Sequence, residues 1–198
     1  MSGSRPKIGL ILKTDIPQEW IEEFLSTVKL NRSEVEIRKI YSGPMAGLAL
    51  YLPTTVMVFF ASFYLQGILA EAGKHHYVLL KKATRSLWHR LKLVRVFSVG
   101  PKAKTGDFDR FQMAFSINGE TPDGKTFKLV LQLNTSDSLA DAGIDGFIDL
   151  IKSMNDGTLP GDQVERLKAY RSIGDVTVVT IDTQTGEIVP ADKLPIVE

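Results

Sequence analysis

At 198 residues the chain is long enough to bury a sizeable core, and its hydrophobic and charged fractions of 43% and 24% are those of an ordinary globular protein. It contains no cysteine, which excludes disulfides, thiolate metal sites and cysteine nucleophiles and suits a reducing compartment. The formal net charge of +1 argues against wholesale electrostatic binding to nucleic acid.

That near-neutral total hides a sorted chain. Residues 40–70 carry no charge, residues 72–106 hold all three histidines and many Lys and Arg but no acid, and acids outnumber bases from Asp107 to Glu198. Such asymmetry points to an anionic partner or to a charge match inside the fold.

The first six residues are polar and lack the apolar core of a secretory signal, so a cytoplasmic chain is expected. Ile8 to Leu12 is an apolar run that predicts a buried strand. Asp15 and Pro17 then open a helix with Trp20, Ile21, Phe24, Leu25 and Val28 at core-facing spacing. Val35 to Ile40 alternates apolar and charged residues and predicts a second strand, giving a β-α-β start of doubly wound type.

Residues 45–70 admit two readings. The run is long enough for a single membrane span, with bases on its C-terminal side. Pro53 and Thr54-Thr55 interrupt it, however, and Val56 to Phe60 has the β-branched and aromatic make-up of a buried central strand. The strand is the preferred reading, and the single-pass anchor is the alternative.

From about Ser62 to Leu91 the period becomes helical, with a kink or join near Gly73. Leu69, Tyr77, Leu80, Thr84, Leu87 and Leu91 share one face, while Lys74, Lys81, Arg85, His89 and Lys92 form a basic stripe on the other. These five are the candidate anion- or partner-binding residues. Asp137, Asp141, Asp145 and Asp149 recur every four residues in a later helix, so the two stripes either meet within the fold or pair across a homodimer.

The rest is expected to be β-rich. Leu93 to Val99 reads as a strand. Phe111 to Ile117 and Phe127 to Leu133 alternate around a turn and read as a hairpin. Ser136 or Ser138 caps a helix to about Met154, Val164 to Tyr170 forms a short helix, and Val176 to Val189 a last hairpin. The whole is expected to be one α/β domain over residues 1–198, with a β-α-β-rich half at about 7–92 and a hairpin-rich half at about 93–198.

Two motifs touch on chemistry. Gly119 to Thr126 fits the Walker A pattern by letter, but the alternation after Lys125 predicts a strand where phosphate binding requires a helix N-terminus. The strand Val56 to Phe60 followed by Ser62, Tyr64-Leu65 and Glu71 resembles the strand-to-helix junction of TIR domains. Over at most Lys7 to Leu91, that resemblance implies an NAD-processing domain in which Glu71 is catalytic and Thr14 and Asp15 lie near the nucleotide. The plain reading of Glu71 is an acid opening the polar part of a helix. No metal site and no cofactor are implied by the residue pattern. The leading expectation is a non-catalytic interaction module that offers its basic helix to an anionic ligand or an acidic protein face.

Overall fold

The computed structural model describes residues 7–12, 16–30, 32–39, 56–67, 71–94, 111–170, 172 and 175–191. Its strands are β1 (Ile8–Leu12), β2 (Val35–Lys39), β3 (Val56–Phe60), β4 (Phe111–Glu120), β5 (Thr126–Gln132), β6 (Val176–Ile181) and β7 (Ile188–Pro190). Its helices are α1 (Gln18–Val28), α2 (Ser62–Gly67), α3 (Glu71–Leu91), α4 (Asp137–Asn155) and α5 (Gly161–Lys168). One mixed sheet in the order β2-β1-β3-β4-β5-β6-β7 runs through both halves of the sequence. The α/β expectation, with its β-α-β start, long amphipathic helix and antiparallel hairpins, therefore holds.

The apolar runs behave as their composition dictates. Ile8, Leu10 and Leu12 alternate buried with less buried neighbours, as do Val56, Val58 and Phe60. Register carries one face across the sheet, from Ile8 through Phe60, Gly119 and Phe127 to Thr177. That face is apolar and takes the helices, with Phe24 and Val28 of α1, Leu80 and Leu87 of α3 and Ile144 to Ile151 of α4 in a single core. The opposite face of the central strands buries Ser116, Asn118, Lys128 and Thr180 beside a smaller apolar cluster of Phe111, Val130 and Ala191.

Two glycines let α4 lie close on the sheet. A Cβ at Gly143 would stand 1.8 Å from Ile181 Cδ1, and one at Gly119 would stand 2.6 Å from Ile151 Cγ1.

β1 pairs parallel with β2 and antiparallel with β3, β3 parallel with β4, β4 antiparallel with β5, and β5 parallel with β6. β1 and β5 thus point the same way, yet β2 lies to one side of β1 and β6 to the other side of β5. Their helices share a face, so the two crossovers have opposite hands, whereas about 98% of such units are right-handed. The outcome is that α3 and α4 lie side by side and antiparallel.

Several expectations are adjusted. Where a kink or join is expected near Gly73, the structure has two helices, with α2 ending at Gly67 and α3 starting at Glu71, so that Gly73 lies within α3. Pro17 is the N-cap residue of α1, and Asp15 lies outside the described residues. Leu93 and Val94 form the turn that closes α3, with Leu93 77% exposed, and the remainder of the strand expected there lies outside the described residues. Residues 56–60 of the candidate membrane run are a buried strand, and among the described residues no helix is long and apolar enough to cross a membrane. Residues 45–55 of that run lie outside the described residues.

Candidate functional site

The basic stripe forms because α3 has a strongly apolar opposite side. Leu80, Ala83, Leu87, Trp88 and Leu91 are buried, and Thr84 satisfies its buried hydroxyl by donating to the Leu80 carbonyl at 2.8 Å. The acidic stripe forms on α4 in the same way. Ser136 caps that helix by accepting from the Leu139 amide, Asp137 stands in the first turn where the dipole favours an acid, and Ile144, Phe147, Ile148 and Ile151 are buried.

Because the helices are adjacent and antiparallel, the stripes meet rung by rung within one chain. Lys81 Nζ lies 2.6 Å from Asp149 Oδ1, Arg85 Nη1 3.0 Å from Asp145 Oδ2, His89 Nε2 2.9 Å from Asp141 Oδ1 and Lys92 Nζ 2.5 Å from Asp137 Oδ2. Tyr77 extends the ladder by donating its hydroxyl to Asp149. The ammonium groups of Lys81 and Lys152 stand 4.8 Å and 5.8 Å from the Tyr77 ring. Burial, then the bond to Asp149, pushes the Tyr77 hydroxyl pKa up, whereas the Lys92 bond draws the Asp137 carboxyl below its ordinary range.

Four of the five sequence-predicted site residues are therefore brought together, each against a carboxylate. The fifth, Lys74, lies in α3, and its side chain is outside the described residues, as is that of Glu71. Arg90 and Lys82 of α3 lie off the ladder. Arg90 pairs with Glu23 of α1 and lies 5.9 Å from the Trp20 ring, while Lys82 is exposed.

A second polar cluster, not anticipated from sequence, sits where β3 and β4 end. The Ser62 amide donates to Glu120 Oε2 at 3.2 Å, and the Ser62 hydroxyl donates to Asn155 Oδ1. The Asn155 amide donates to the carbonyls of Glu120 at 2.9 Å and Ile151 at 2.8 Å. Nearby, Tyr64 and His76 meet edge to face with centroids 6.0 Å apart, and the Tyr64 hydroxyl and His76 Nε2 are both buried without a hydrogen-bond partner among the described residues. Burial, reinforced by Lys7, holds the His76 pKa below its usual value. No local signal announces this cluster, since Ser62 and Asn155 are joined only by the fold.

β3 runs against β1, so Ser62, Tyr64 and the start of α3 stand at the end of the sheet where β1 begins. Thr14 and Asp15, the other part of the TIR resemblance, lie outside the described residues. The Walker-like stretch is the β4–β5 turn: Gly124 has φ 81°, Thr121 bonds to Asp123 and to the Lys125 carbonyl, and Thr126 begins a strand. Among the described residues no group of three or more His, Asp or Glu is placed to hold a metal ion.

The chain has no significant match among protein-family models, curated proteins or solved structures.

Proposed function

We propose that this chain is a non-catalytic binding module whose α3 recognises an anionic ligand or an acidic protein face. What supports the reading is the placement of Lys81, Arg85, His89 and Lys92 in one row at the protein surface, 17–36% exposed, rather than in its interior. Lys81, Arg85 and Lys92 offer several simultaneous charge contacts to a polyanion, each sensitive to salt, with the His89 ring between them as a hydrogen-bonding group.

Heparin and a polyglutamate peptide serve as probes. The native chain is expected to bind one or both at low ionic strength and to release them as salt rises. Lys81→Glu/Arg85→Glu/Lys92→Glu is expected to abolish that binding, and the milder Lys81→Met/Lys92→Met to weaken it with the helix content unchanged by circular dichroism. Binding that persists unchanged in both variants overturns the proposal.

A further inference from the structure

The two end rungs of the ladder are unequally covered: Lys81 and Lys92 have 17% and 27% of their side chains exposed, whereas their partners Asp149 and Asp137 have 54% and 59%. At the inner rungs the two sides are closer, 35% for Arg85 against 28% for Asp145 and 36% for His89 against 34% for Asp141. Among the described residues of the row, Lys81, Arg85, His89 and Lys92 each already hold the kind of group that an external anion would supply. We infer that the acidic row of α4 is an intramolecular competitor that occupies the anion-recognising row of α3 and sets how tightly an outside anion binds. The inference rests on the binding role proposed above.

The physical basis is an exchange of like for like. A partly exposed ion pair in water contributes about 0–1 kcal/mol, so an incoming carboxylate or sulfate gains little by displacing one that is already in place. Removing the resident carboxylates frees the cations without moving them, because α4 is held on the sheet by Ile144, Phe147, Ile148 and Ile151 and not by its charges. Its place in the fold survives neutralisation of the ladder.

The test compares three proteins on heparin and on polyglutamate: the native chain, Asp141→Asn/Asp145→Asn/Asp149→Asn, and a charge-matched control, Glu19→Gln/Asp162→Asn/Glu187→Gln. The control acids are exposed and lie outside the ladder, so it reports the effect of net charge alone. The ladder variant is expected to bind about tenfold more tightly than the control. Equal affinity in the ladder variant and the control overturns the competition. Absence of binding in all three overturns the binding role itself, so the two failures are distinguishable. Asp149→Asn alone, expected to bind more tightly than Glu187→Gln alone, repeats the comparison with one carboxylate of the ladder changed if the triple variant folds poorly.

Discussion

Arg85 Nη1 donates to Asp145 Oδ2 at 3.0 Å, while the second oxygen of the same carboxylate, Oδ1, is buried without a hydrogen-bond partner among the described residues. Burial raises the Asp145 pKa despite the opposing pull of Arg85 and Lys81, and Asp149 and Asp141 push in the same direction as burial. The Arg85–Asp145 rung is thus one where an ion pair meets a desolvation cost. A double-mutant cycle on Arg85→Ala and Asp145→Ala should return a coupling no larger than about 1 kcal/mol by urea denaturation. Because the folded-state pKa is raised, Asp145 holds its proton more tightly when folded than when unfolded. Its contribution to stability therefore declines as pH rises above the ordinary carboxylate range, and Asp145→Asn should remove that decline.

His76 gives the opposite slope. Its pKa is lowered by burial and by Lys7, with His75 acting in the same direction and Glu34 against it. The unfolded chain then binds a proton at His76 more readily than the folded one, so stability is lost as pH falls below the unfolded value of 6.5. The difference in melting temperature between the native chain and His76→Gln, followed from pH 7.5 down to about pH 5, should shift in favour of the variant. A difference that stays constant over that range would show that His76 does not titrate differently on folding.

Packing of α4 on the sheet offers a sharper contrast between two glycines of one helix. Gly143→Ala sets a methyl against Ile181 and should cost about 1–3 kcal/mol, part of which Ile181→Ala should recover in the double variant. Gly146 meets nothing within 4 Å, and Gly146→Ala should stabilise by about 0.5–1 kcal/mol through helix propensity alone. Equal effects at the two positions would show that α4 does not sit this close to β6.

Asn155 ties the end of α4 to the end of β4 and to Ser62. Asn155→Ala should cost about 1–3 kcal/mol, the range expected when buried partners lose a hydrogen bond. Asn155→Asp keeps the shape but aims a carboxylate at the carbonyls of Glu120 and Ile151, so it should be worse at neutral pH and partly relieved on acidification. Chemical denaturation of both variants at two pH values checks the order.

Most elements were legible in the residues because periodicity reports which side of a strand or helix is buried. Ile8–Leu12, Val56–Phe60 and the β4–β5 and β6–β7 hairpins are examples. Strand direction was not legible, since alternation is the same read forwards or backwards. The antiparallel pairing of β3 with β1 decides where Ser62, Tyr64 and Glu71 stand, and no residue within those segments encodes it. The acidic and basic stripes were visible as patterns. Whether they met within one chain or between two depended on which face of the sheet α4 takes. The Ser62–Asn155–Glu120 cluster was invisible for the same reason: 93 residues separate the first two.

The ladder also bears on whether the protein divides at its midpoint. Its cations all belong to the segment before residue 93 and its aspartates to the segment after, so neither portion is electrically complete. An excised fragment from Phe111 onward would keep a helix with four carboxylates one turn apart and no counter-charge opposite, at a cost of about 0.2–0.5 kcal/mol for each neighbouring pair. Cutting this chain in two would leave pieces of complementary charge that attract each other.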